Sequence, residues 1–272
     1  MESWIKSGLI IIAMAIVGFT GVWLASWLFS PRGSLGPTIL QSISPIKACF
    51  AVLITVGIAS VIGGFIARIS TTISGMFVLG FSLFAMAMKL EGVEELIYSG
   101  GSFYILIIEA LFLSIVVLIG TLIVFAIGGP LKDVAKPDGN NGSNFWRAVL
   151  ISLAVLPVIW LVAKSPMKGQ VIGSAAVGGI AIGFLARQFT PSLQPVIYYV
   201  LPISVGGFGY FIGITLFPVS DVAFAQQSLS QLLFPMPIEY AAGVIMGLSI
   251  GLSWAASLSE KPNPEKHKKV AL

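Results

Sequence analysis

The chain has 272 residues, of which 57% are hydrophobic and 10% charged, against roughly 25% charged in an ordinary soluble domain. A soluble core of this size buries only about half of such an apolar content, so the chain reads as a polytopic, all-α membrane protein. A formal charge of +4, with Lys and Arg scattered between apolar runs, supplies no basic face for nucleic acid.

Trp4 and Lys6 precede an apolar run from about 8 to 29. A signal peptide has a core of only about 7–15 apolar residues. This run is longer and carries Trp23 and Trp27 near its far end, where indoles favour the membrane interface. It reads as a retained first span, with cleavage near Ala25 as the alternative.

A Pro/Gly/Ser-rich loop (31–45) leads to a second span at about 46–68 and a third at about 72–89. The charged segment Lys89–Glu95 closes at Gly100-Gly101, and a fourth span follows at about 103–127. Gly128-Gly129-Pro130 opens a stretch dense in Gly, Pro and Asn, the composition of a flexible linker. It divides the chain into a first half (1–129), a linker (130–145), a second half (146–258) and a polar tail (259–272). Spans in the second half are expected at about 146–163, 168–187, 193–217 and 237–258. Between the last two, Leu229, Leu232, Leu233 and Phe234 stand beside Gln226, Gln227 and Gln231, which predicts a short amphipathic helix lying in the interface.

One frame occurs twice. Ser44-Pro45-Ile46-Lys47, some twenty apolar residues and Gly64-Phe65-Ile66-Ala67-Arg68 are followed in the second half by Ser165-Pro166-Met167-Lys168 and Gly183-Phe184-Leu185-Ala186-Arg187. Each copy reads as a span with Pro in its first turn, where a missing N–H costs nothing, and a cation at either end. The interval is the length of about twenty residues that a bilayer requires. Two halves of four spans would share one orientation, related by an axis along the membrane normal. The match is imperfect: the first inter-span loops differ in length, and the Lys-to-Arg distance differs by two residues.

With the N-terminus inside, Arg32, Lys47, Lys89, Lys164 and Lys168 lie outside and the other ten Lys and Arg inside. That bias places both termini in the cytoplasm, and the expected location is a bacterial plasma (inner) membrane.

Glu109, about two turns into the fourth span, is the most unusual residue, because a carboxyl at that depth must be paired, protonated or reached by water. It is a candidate ion or substrate group, against a purely packing or interfacial role. Glu239 is its counterpart at the mouth of the last span, and its position also fits the interface. Arg68 and Arg187, with Thr71 and Thr190 as hydroxyl partners, could clamp an anion or lipid headgroup, or could be ordinary cytoplasmic anchors. Pro157 and Pro202 fall inside spans, where each frees a carbonyl and can kink the helix.

Gly57, Gly63 and Gly64, a run of small residues from Gly173 to Gly183, and Gly206, Gly207, Gly209 and Gly213 predict close helix packing. Gly209/Gly213 and Gly243/Gly247 have the Gly-x-x-x-Gly spacing.

The single cysteine, Cys49, cannot form an internal disulfide, and the single histidine, His267, lies in the tail, so neither a metal nor a cofactor is expected. No Walker, HExxH or GxSxG motif is present, and enzymatic activity is not expected. The leading expectation is a transporter or permease for a small solute, with its path between the halves. The alternative is a non-catalytic subunit that packs in a larger membrane complex. Membrane lipids, and other subunits or copies of the chain, are the expected partners.

The orientation is testable with a membrane-impermeant maleimide on intact cells. In a Cys49→Ser background, Glu94→Cys is expected to label and Asn140→Cys to stay unlabelled until the cells are opened; the reverse pattern would invert the assignment.

Overall fold

The computed structural model describes residues 3–131, 134 and 141–259. The polar tail beyond Ser259, with His267, and half of the linker lie outside the described residues. Within them the fold is helical, with no strand beyond one isolated bridge between Phe29 and Leu35. Eight helical segments are long and apolar enough to cross a membrane, which makes this an integral membrane protein. Helices suit the bilayer because each satisfies its own backbone N–H and C=O groups.

Spans one to four are α1 (Ser3–Ala25), α2 (Pro45–Ile69), α3 (Thr72–Lys89) and α5 (Tyr104–Gly128), with the short α4 (Val93–Tyr98) between the last two. The fifth span is built from α6 (Asn141–Leu153) and α7 (Val155–Val162). Spans six and seven are α8 (Lys168–Phe189) and α9 (Val196–Leu216); α10 (Asp221–Ala225) and a 3-10 turn (Gln231–Leu233) then lead to α11 (Pro237–Ser259).

Local chemistry accounts for most boundaries. Pro45 occupies the first turn of α2. Thr71 caps α3 by accepting the Ser74 N–H at 3.1 Å. Pro157 lacks the N–H that would bond Leu153, and the helix breaks at Ala154. Pro202 is instead carried within a continuous α9.

Three details differ from the sequence reading. Pro166 lies ahead of α8, which starts at Lys168, so only Pro45 fills the first-turn role. Helix α6 begins at Asn141, inside the expected linker, because the Asn-Gly-Ser-Asn segment joins the apolar run behind it. Residues 218–237 form no interfacial amphipathic helix. Leu229, Leu232, Leu233, Phe234 and Met236 are all buried, and the segment folds inward over the ends of α9 and α7.

Helix α11 is the centre of the molecule, buried along nearly its whole length from Ile238 to Leu252. It packs against α8 most extensively, then against α3, α9 and α5. Its approach to α8 is a backbone-to-backbone contact. A Cβ on Gly243 would sit 2.5 Å from the Ile172 carbonyl oxygen, one on Gly179 2.5 Å from that of Val244, and Gly247 and Gly251 abut the Ala176 and Ile180 carbonyls. Two further seams link the halves reciprocally: α5 packs on α9, and α3 packs on α11. Within the first half, α3 lies against α1 and α2, and α2 against α5.

The large apolar side chains left outside, among them Ile11, Phe19, Trp23, Phe50, Phe65, Leu111, Ile115 and Leu122, belong to the lipid-facing sides of α1, α2 and α5. Replacing Gly247 with a bulky residue pushes a side chain into the α8 backbone. Gly247→Leu is expected to cost about 1–3 kcal/mol, read as a lower melting temperature in detergent. Gly57→Ala, where a Cβ meets nothing within 4 Å, should leave that temperature unchanged. Equal melting of both variants would refute the close-contact role.

Candidate functional site

The face opposite the N-terminus carries the segments 26–44, 90–103, 163–167 and 217–236. Polar contacts tie these segments into a cap. The Ser30 hydroxyl donates to Glu95 Oε1 at 2.5 Å, and Arg32 pairs with Glu95 Oε2 at 3.3 Å while its guanidinium lies over the Tyr98 ring. Gln41 exchanges two hydrogen bonds with the backbone of Ser102. The Lys168 ammonium donates to the Glu91 carbonyl at 2.8 Å. The sequence marks Lys89–Glu95 only as charged; that Glu95 is buried follows from Ser30 and Arg32, more than sixty residues earlier, folding onto it.

Beneath the cap lie both membrane glutamates, each near the start of the fourth span of its half. Glu239 is 2% exposed, enclosed by the protein itself. Its two oxygens are satisfied: Oε1 takes the Lys168 ammonium and Oε2 accepts the Met236 N–H at 2.8 Å. Lys168 and Glu239 thereby clamp the first turns of α8 and α11 together.

Glu109 is 0% exposed and differently placed. Its Oε1 accepts the Leu40 N–H at 2.6 Å, with the Ile39 amide alongside, which pins the 26–44 loop to α5. Its Oε2 has no hydrogen-bond partner, and neither does the buried Tyr240 hydroxyl. Among the described residues no cation pairs with Glu109. A buried polar atom left in this state costs about 1–3 kcal/mol, more when charged.

Helix α9 brings these groups to one place. The Tyr240 ring lies over Gly206, where a Cβ would come within 2.8 Å of Cζ, and Gly207 faces Ala110, the neighbour of Glu109. Tyr210, one turn along α9, packs edge-on to Tyr240 at 6.5 Å, donates to the Pro235 carbonyl at 2.7 Å and lies in electrostatic range of Glu109 and Glu239. Glycine matters most at 206, because a side chain there would have to displace the tyrosine. Deeper in the same seam, Ser204 donates to Ser114 at 2.9 Å, joining α9 to α5. At the capped end the seam opens into a groove of about 460 Å³ lined by Ser102, Tyr104, Ile214, Ser220 and Asp221 among others. Tyr104 lies five residues, or about 7–8 Å of helix rise, from Glu109.

The remaining candidates lie at the opposite ends of the spans. Arg68 is exposed in the last turn of α2 and borders a groove of about 260 Å³ with Thr71, Thr72, Gly128, Pro130 and Leu131. Arg187 is half-buried in the last turn of α8, in electrostatic range of Tyr199. No hydrogen bond joins Thr71 or Thr190 to either arginine: Thr71 caps α3, and Thr190 donates to the Ala186 carbonyl and shares a 2.5 Å hydrogen bond with Tyr198. Arg68 and Arg187 end helices that belong to different halves, α2 against α3 and α5, α8 against α11 and α7.

Tyr210 and Tyr240 were not legible as site residues, since an aromatic in an apolar span reads as packing. Their only sequence signal is adjacency to Glu239 and to the Gly206-Gly207 pair. No protein-family model, curated protein or solved structure matches the chain.

The clamp between α8 and α11 predicts a double-mutant result. Lys168→Met strands a buried carboxylate and is expected to cost about 3–5 kcal/mol. Glu239→Gln added to it should restore much of that loss, read by thermal unfolding in detergent; additive losses would show that the pair is not coupled.

Proposed function

We propose that the protein is a transporter or permease for a small solute, with its path along the seam where the two halves meet. The observation that carries this reading is Glu109, a fully buried carboxyl whose Oε2 lacks a partner at the contact of α5 with α9. Carboxyls inside the membrane are costly, and in functional proteins they bind ions or substrates, or exchange protons. The unpartnered Tyr240 hydroxyl beside the same α9 glycines, the Ser114–Ser204 pair deeper in the seam and the polar groove at its capped end give a solute further groups to meet. The scarcity of other polar groups in the spans favours a small solute and disfavours a long proton relay.

The same reading takes the chain as a duplicated one, with residues 1–129 and 146–258 as repeats. Three features support it. The fourth span of each half packs on the third span of the other. Each recurring glycine packs its helix on the fourth span of its own half, Gly64 on Ile127 and Gly183 on Leu252. Each fourth span carries a buried glutamate near its start that accepts backbone N–H groups. The repeats have diverged, since α2 lies along α3 whereas α8 scarcely touches α9. Both termini are proposed to be cytoplasmic, in a bacterial plasma membrane, from the Lys and Arg bias.

The small-residue faces bear on the alternative of a subunit in a larger complex. Most of them, Gly63, Gly64, Gly178, Gly179, Gly183, Gly206, Gly209, Gly213, Gly243 and Gly247 included, are turned inward onto neighbouring helices of the same chain. Only Gly57 and Gly173 among those named face open space, which favours packing within the chain over a partner.

Flux in proteoliposomes tests the proposal. Against a panel of small neutral, cationic and anionic solutes, the protein is expected to move at least one, and Glu109→Gln to slow it tenfold or more with unchanged expression and melting. Flux that survives in Glu109→Gln would remove that residue from the mechanism. Transport of no solute, with stoichiometric co-purification of other membrane proteins, would favour the subunit.

A further inference from the structure

The first turn of the second span in each half carries a lysine, and the two are treated differently. Lys168 has its carboxylate, Glu239, and is largely withdrawn from the surface. Lys47 has no such partner among the described residues: the corresponding carboxyl, Glu109, is held by the Leu40 N–H instead. Lys47 borders a pocket of about 510 Å³ where the end of α1 meets the start of α2, together with Ser26, Trp27, Phe29, Ile43 and Ser44. Trp27, Phe29 and Ile43 make its walls apolar, while Ser26, Ser44 and Lys47 supply its polar lining. Ser44 gives α2 no side-chain cap, and Pro45 supplies no N–H, so the first-turn amides beside Lys47 are open toward an anion. From the pocket an exposed apolar strip continues along α2 through Phe50, Leu53 and Ile54.

We propose that this pocket binds an anionic phospholipid of the leaflet on the capped side. Lys47 and the start of α2 receive the phosphate, and the acyl chains run down the α2 strip. The apolar walls and the continuous strip select a lipid over a free anion. The lysine selects an anionic headgroup over a zwitterionic one. The bound phosphate takes the place that a carboxylate fills at Lys168. This proposal does not depend on the transport reading.

The test is native mass spectrometry of the delipidated full chain titrated with phosphatidylglycerol, phosphatidylcholine or inorganic phosphate in mild detergent. One phosphatidylglycerol per chain is expected to persist, with an affinity at least tenfold above phosphatidylcholine. Lys47→Gln should erase that preference and Lys47→Arg keep it; because Lys47 is exposed, neither change should alter the fold. Equal retention of the two lipids, or a preference undiminished in Lys47→Gln, would overturn the proposal. Displacement of phosphatidylglycerol by millimolar inorganic phosphate would also overturn it, by assigning the pocket to a free anion.

Discussion

Backbone contact between α8 and α11 is the constraint on which the other packing depends. In lipid, apolar side chains gain little by leaving one apolar surface for another, so helices associate through close dispersion contacts and backbone approach. Gly243, Gly247 and Gly251 on one helix, and Gly179 and Gly183 on the other, remove a Cβ at each point where the two backbones approach most closely. Helix α11 is thereby drawn into the middle of the bundle, where α3 and α9 close around it. Its first turn, with Glu239 and Tyr240, is then fully enclosed.

Enclosure forces each carboxyl to find compensation, and the two halves do this differently. Glu239 is offset by a lysine and an amide, leaving no unmet oxygen. That is a structural clamp, of the kind whose removal of one partner is costly. Glu109 is offset only by loop amides on one oxygen. The contrast is between a carboxyl with both oxygens met and one with an oxygen left unmet.

The cap connects the two. Loop 26–44 reaches Glu109 through Leu40, Glu95 through Ser30 and Arg32, and the Glu91 amide through the Leu35 carbonyl. The 229–236 segment supplies the apolar part, with Leu233 filling the space that Gly213 leaves on α9. The 26–44 loop therefore lies against Glu109 and touches it directly, its Leu40 amide occupying Oε1.

By itself the sequence determined the class and nearly all the ends of the eight long apolar helices, because hydrophobic length and proline, glycine and capping positions act locally along the chain. It also singled out Glu109, since one acidic residue in an apolar run is visible without neighbours. Only the tertiary structure decided that Glu239 is clamped and Glu109 half-satisfied, because their partners, Lys168 and Leu40, are 71 and 69 residues away. It likewise decided that Leu229 to Phe234 turn inward. An amphipathic segment buries its apolar side against whichever surface is nearest, and here the protein, not the interface, was nearest.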